Sequence, residues 1–387
     1  MSLKSFKFND MLRERAKRLS LLGVLCLALG LSSCESIYDD DPNCLQGIAL
    51  RFVYDYHMEP GANAFAANVD CINVFVFDEA GNYVKQFKET SDVLRNDWYR
   101  MNIPLESGKY QLIVYGGLAC EHSRFSLTPD WLATPTAKKE DIRVTLPRNA
   151  QGESDVRLHE IVERPDGILE PTGGLFYGTL EVEVTEDDYN TTYREETVHL
   201  MNDVNNIRII LQELDYPKHV DYRDYDFKII DDNFVLDSNN NPVHMATADN
   251  QPVYVPYVAD NIPGKAAKNV GSNGVRLEED EKQDIQLACV EFSTSRLLAK
   301  HWKTARLVIT SKTETDKNGN PATVMDILLM DYLLAAQGFG DTWIKSDQEY
   351  LDRQSRWTLM LFLQHGYWAK LDFVVNDWTI HVENIDF

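Results

Sequence analysis

What this 387-residue chain lacks narrows its function before any motif is considered. Beyond residue 34 no apolar run approaches the ~18 residues that a membrane-crossing helix needs. Basic side chains are scarce: 38 Lys and Arg stand against 61 Asp and Glu, a formal net charge of −23. So acidic a chain repels phosphate backbones and anionic lipid, and no nucleic-acid partner is expected. The six cysteines contain no CxxC spacing, which argues against a zinc site. The nine histidines are scattered, and His159-Glu160 with Glu163 lacks the second histidine of an HExxH helix. Neither a Gly-x-Ser-x-Gly elbow nor a phosphate-cradling glycine loop occurs. A glycosidase carboxylate pair has no sequence signature of its own; it would show only as two acids converging in a cleft. The expectation is no cofactor, no metal and no enzymatic activity.

What is present begins at the N-terminus. Lys4, Lys7, Arg13, Arg15, Lys17 and Arg18 precede an apolar run from Leu21 to Leu31, which leads into Leu31-Ser32-Ser33-Cys34. The run is too short to span a ~30 Å hydrocarbon core, and its basic front and small-residue exit are those of a cleaved signal. Small residues before a cysteine are what a lipoprotein signal peptidase requires. Cleavage between Ser33 and Cys34 is therefore expected, with Cys34 acylated and held in membrane lipid. Losing residues 1–33 moves the formal charge to −27. Residues 34–47, with Glu35, Asp39, Asp40 and Asp41, read as an acidic tether, the alternative being an export signal to the outer surface.

The remainder has the periodicity of β-structure. Ile48, Leu50, Phe52 and Tyr54 alternate with more polar neighbours, a half-buried first strand. Cys71 to Phe77 is almost continuously apolar, as in a strand covered on both faces. Asp78-Glu79-Ala80-Gly81-Asn82 supplies a turn before the hairpin arm Tyr83 to Phe87. Residues 149–174 are rich in Gly, Pro and Asn and read as a long loop. Thr294 to Trp302 suggests a short helix, and Val324 to Leu334 a strand running into a helical turn. Asp316-Lys-Asn-Gly-Asn320 places oxygens as a calcium loop does, yet lacks the distal glutamate and suits a hairpin turn better. Trp98, Trp131 and Trp343 are candidates for stacking on sugars, although burial is the commoner fate of tryptophan. Short strands with turns roughly every ten residues predict an all-β chain of two β-sandwiches, at 48–196 and 197–387. Cys44, Cys71, Cys120 and Cys289 allow three complete pairings that sequence does not distinguish. Cys44–Cys71 is the preferred one, since both lie near the ends of the first two strands.

Several phrases, taken in order, resemble one family. They are Cys34-Glu-Ser-Ile-Tyr38 through Cys44, Leu50-Arg-Phe-Val-Tyr-Asp-Tyr56, Val69-Asp-Cys71 and Val76-Phe-Asp-Glu-Ala-Gly-Asn-Tyr83. Val114-Tyr-Gly-Gly-Leu118, Leu200-Met-Asn-Asp-Val-Asn-Asn-Ile207 and Val375-Asn-Asp-Trp378 continue the series. Together they are similar to the FimB-like anchor subunits of Bacteroidota fimbriae, the type V pili of minor-fimbrium type. Val258 to Asp284 departs from that pattern and reads as an insertion. The resemblance implies two transthyretin-like sandwiches held by lipid in the outer membrane, at the base of a fimbrium. It also implies shaft pilins as partners, joined by β-strand addition. Trp378, Ile380 and Val382 in the last strand are the candidate exchange residues, and that strand either completes its own sheet or lends itself to a neighbour's. Arg51, between Leu50 and Phe52, reads as sheet backbone shielded from the arginine-specific protease that trims shaft subunits of this class. The alternative is a surface glycan-binding lipoprotein.

Replacing Cys34 by Ala removes the only acyl acceptor at the signal junction. Fractionation should then find the protein uncleaved or released, with fibres shed into the medium; normal membrane retention would refute the lipid anchor.

Overall fold

In the computed structural model the described residues run from 46 to 381. They exclude 60, 130–135, 164, 166, 168, 186–192, 214–217, 248–250, 268–281, 340–342, 369–371 and 376–377. The fold is all-β. In chain order the first strands are β1 (Gly47–Tyr56), β2 (Ile72–Asp78), β3 (Tyr83–Glu89), β4 (Met101–Pro104), β5 (Gly108–Gly116) and β6 (Ser126–Thr128). There follow β7 (Arg143–Thr145), β8 (Glu153–Ser154), β9 (His159–Glu163), β10 (Leu169–Gly173), β11 (Phe176–Val184) and β12 (Arg194–Asn202). The second half supplies β13 (Val204–Glu213), β14 (Tyr225–Ile230), β15 (Val235–Asp237), β16 (Val253–Tyr254), β17 (Val258–Ala267) and β18 (Lys282–Ser295). It ends with β19 (Arg306–Thr315), β20 (Pro321–Leu328), β21 (Arg356–Gln364), β22 (Tyr367–Trp368), β23 (Asp372–Val375) and β24 (Trp378–His381). Three short helices, α1 (Phe65–Asn68), α2 (Leu329–Ala335) and α3 (Asp347–Arg353), sit among them.

The first large sheet has the order β3-β2-β5-β11-β12-β1-β4. It bends at β11/β12, which pair at only two positions, Phe176 with Asn202 and Tyr177 with Met201. Gly178 explains the bend: a Cβ there would lie 2.7 Å from the His199 carbonyl oxygen, so only glycine lets β12 cross so closely. The folded sheet encloses one core, in which Ile48, Leu50 and Phe52 of β1 share a cluster with Val74, Val76, Leu112, Val114 and Val198. The opposite faces of β2 and β5 carry Phe75, Phe77, Ile113 and Tyr115, which belong to a second and larger core. The apolar run from Cys71 to Phe77 is thus covered on both sides, as its composition requires.

That second core ignores the boundary expected at 196/197. β12 runs unbroken through it and pairs in parallel with β1 from Ile48–Arg194 to Val53–His199. The sheet change falls instead at Asp203, between β12 and β13. β7 pairs with β15 and carries β6 on its other side, and β8 pairs with β16, so strands from the first half complete sheets of the second. Of the polar stretch 189–196, Arg194–Glu196 already belong to β12. The remaining large sheet is β17-β18-β13-β21-β23-β24, and β20-β19-β14-β16-β8 packs with it around the same core.

Smaller expectations resolve locally. Residues 149–174 contain β8 and the β9–β10 hairpin, where Gly-Pro-Asn richness marks turns between short strands. Thr294 and Ser295 end β18, and only Ala299–His301 forms a 3₁₀ turn. The strand-to-helix reading of 324–334 matches β20 and α2. At the β19–β20 turn, Asp316 Oδ1 accepts the Asn318 and Asn320 N–H groups at 2.8 and 2.9 Å, which commits that carboxylate to its own backbone.

The expected Cys44–Cys71 bridge is corrected. Cys71 is bonded to Cys120, with Cα atoms 6.3 Å apart, while Cys44 lies outside the described residues. β2 and β5 are neighbours, so the end of one meets the loop after the other, a proximity that strand order alone reveals. Cys289 is free and buried. Closing a 49-residue separation removes about 4 kcal/mol of unfolded-state freedom in the chain-entropy picture. Cys120→Ser should therefore lower the urea midpoint markedly. In the unreduced chain, denaturation should expose Cys289 to thiol reagent but neither Cys71 nor Cys120.

Candidate assembly and ligand surfaces

The two ends of the chain occupy different positions in their sheets. β1 is interior, bonded to β12 on one side and to β4 through Gly47–Leu50 on the other. Arg51 pairs with Thr197 and is flanked by Leu50 and Phe52, both buried. Sheet hydrogen bonding thus holds the backbone a protease would need to extract. Ser33 and Cys34 lie outside the described residues. β24 closes the other end as an edge strand, with Trp378 opposite Val375 and Ile380 opposite Phe373 of β23. Val382 lies outside the described residues. The opposite edge of that sheet is β17, formed by the segment that departs from the family pattern, and it carries Pro263 opposite Gln286.

The C-terminal end of β1 is gripped by the second half. The Arg353 guanidinium of α3 lies 4.0 Å from the Tyr56 ring centroid and 4.9 Å from that of Trp343, and Glu349 pairs with it at 2.9 Å. Its stack over two rings is a cation–π clamp. Trp343 is therefore occupied by Arg353. Trp98 is 83 % exposed, and Trp131 lies outside the described residues.

A cleft of about 430 Å³ opens where the β9–β10 hairpin faces β13 and β21. Three arginines line it. Arg157 pairs with Glu160 at 2.7 Å and Arg208 with Glu291 at 2.7 Å, while Arg356 stands exposed beside them. Burial of the His159 ring, reinforced by the Arg356 charge, pushes its pKa down to about 4, so the ring is neutral at neutral pH. Nothing local in the sequence announces this cleft, because its residues come from five separate segments.

A buried polar network joins the two halves at the sheet change. Arg296 makes two 2.8 Å bonds to the Asp352 carboxylate and donates to the Asn240 carbonyl at 2.6 Å. Asn240 Nδ2 donates to Asp203 Oδ1 at 2.8 Å, and the Tyr177 hydroxyl donates to the Ser238 carbonyl at 2.9 Å. Asp203 is fully buried. Its burial outweighs the Arg296 charge and the Asn240 bond, raising its pKa to about 7.

Among the described residues no group of three or more His, Cys, Asp or Glu side chains is arranged to hold a metal, and no helix is long and apolar enough to cross a membrane.

These features define an all-β protein with an enclosed first strand and an open C-terminal sheet edge. The chain belongs to the family of fimbrillin-A associated anchor proteins Mfa1 and Mfa2, whose model matches residues 39–384. It is 31 % identical to a candidate adhesin of Bacteroides thetaiotaomicron, with a TM-score of 0.69 over 89 % of this chain and 100 % of that one. A candidate polysaccharide-binding protein of the same organism is 27 % identical, at a TM-score of 0.62 over 87 % and 98 %. The fimbrial anchor protein Mfa2 of Porphyromonas gingivalis shares the fold at 16 % identity, with a TM-score of 0.55 over 87 % and 99 %. No curated protein sequence matches the chain. Membership places the protein among fimbrial anchors of the cell surface, a structural role.

The Asp203 pKa carries a pH dependence with a definite sign. Between about pH 4 and 7 the unfolded carboxyl is ionised while the folded one keeps its proton, so stability falls as pH rises through that window. The full effect is of order 4 kcal/mol above the folded pKa. Asp203→Asn should match the parent near pH 4 and exceed it near pH 8 in urea denaturation. A difference independent of pH would contradict the assignment.

Proposed function

We propose that this protein is the lipid-held base of a fimbrium in the outer membrane, retaining its own first strand and seating the first shaft subunit by β-strand addition. The observation that carries this reading is the enclosure of β1 between β12 and β4. A subunit destined for the shaft must surrender its lipidated N-terminal strand; one whose first strand is paired along both sides keeps both strand and lipid. Cys34 is the attachment point in this reading. Two sandwiches divided at Asp203, sharing the core behind β2 and β5, give the base its stiffness.

The contact to the shaft is assigned to the β24 edge. Main-chain groups at a sheet edge provide affinity, and alternate side chains provide register. Of the two edges of the second large sheet, β17 carries a proline, which lacks an N–H and obstructs an added strand. Trp378 and Ile380, with Val382 beyond them, are the side chains that would set register.

A second reading, a surface glycan-binding lipoprotein, draws on the arginine-lined cleft and on the neighbour described as a candidate polysaccharide binder. Binding of acidic oligosaccharides that is lost in Arg356→Gln would favour it.

Deleting Asn384 to Phe387 tests the anchor reading directly. The expected result is a folded, surface-attached protein that no longer retains fibres. Fully anchored fibres would remove the last four residues from the joint, and an unfolded product would make the terminus part of the protein's own sheet.

A further inference from the structure

A pocket of about 230 Å³ lies between the end of β14, the loop after β15 and the turn at Ala299–His301. Two histidines line it, and each has a carboxylate beside its Nδ1 atom. His301 Nδ1 lies 2.5 Å from Asp231 Oδ1, and both side chains are almost fully buried. His244 Nδ1 lies 3.4 Å from Asp232 Oδ2. The two ring centroids are 5.4 Å apart. Consecutive aspartates thus face the Nδ1 atoms of two histidines from distant parts of the chain.

A carboxylate at Nδ1 holds the proton there and leaves Nε2 as a lone-pair donor, which is how metal-binding histidines are usually oriented. His301 Nε2 is buried and has no hydrogen-bond partner. A ring nitrogen taken out of water without a partner is costly, so the site favours whatever satisfies it. His244 is 61 % exposed and can turn to bring its own Nε2 toward the same point. Imidazole nitrogen selects borderline ions over Mg²⁺ or Ca²⁺, which prefer carboxylate and carbonyl oxygen.

We propose that His301 and His244, oriented by Asp231 and Asp232, form an exchangeable site for a divalent ion of the Zn²⁺ or Cu²⁺ type. With two protein ligands the ion keeps water in its remaining positions, so binding is reversible and open to outside donors. Both carboxylates serve as orienting groups. Asp232 is further fixed by accepting the Met245 and Ala246 N–H groups at 3.0 Å. Bound metal would tie the loop after β15 to the turn before β19.

The test is titration of the full-length chain in detergent with Cu²⁺ or Zn²⁺ alone, at neutral pH. One saturable site is expected, undisturbed by excess Ca²⁺, which would displace an ion held by the many surface carboxylates. His244→Ala, at an exposed position, should leave the melting temperature unchanged and weaken binding about tenfold or more; Asp232→Asn should weaken it by roughly 10–100-fold. Electron paramagnetic resonance of the Cu²⁺-loaded chain should show coupling to two imidazole nitrogens, a readout that needs no variant at buried His301. Absence of a saturable site, equal affinity in His244→Ala, or coupling to fewer than two imidazoles would overturn the proposal.

Discussion

Burial of β2 and β5 on both faces is the constraint around which this molecule is arranged. One face of these strands closes the core that holds β1; the other, through Phe75, Phe77, Ile113 and Tyr115, enters the core of the second half. Two sheets therefore share a wall. Apolar surface on a sheet face must meet another layer, and a strand apolar on both faces needs two. The cross-pairing of β7 with β15 and of β8 with β16 follows, since the segments after β5 are drawn over that second face and finish in the other half's sheets.

Where two cores meet, polar groups are trapped. The Arg296–Asp352–Asn240–Asp203 chain lies where β12 passes into β13, and it satisfies most of the donors and acceptors buried there. Such networks rarely add much net stability compared with apolar packing, but they penalise any other arrangement of the same residues. Together with the Arg353 stack on Tyr56 and Trp343, they fix how the second half sits against the first strand.

Strand periodicity made much of this legible from residues alone. The alternation of Ile48 to Tyr54, the double-sided run to Phe77 and the strand-to-helix passage at 324–334 were readable because each records local burial. The Asp316 turn was readable because a short polar side chain closing on its own backbone is also local. What escaped were relations between distant segments. The Cys71–Cys120 bond depends on β2 and β5 being neighbours, the cleft gathers five segments, and the Asp-His pairs join residues 231–232 to 244 and 301. That β12 continues past 196/197 in the first sheet is a relation of the same kind. Polarity marks where a chain leaves one element, and it carries no record of which sheet the next element enters.

Pro263 on β17 has a geometric corollary. A sheet with both edges open can be extended from either side and could sit anywhere in a row of subunits. This one carries a proline on one outer strand, β17, and none among the described residues of the other, β24, so under the proposed strand addition a row would start from it without passing through it. Seated there, a fibre would owe its single direction of growth to one residue that lacks an N–H.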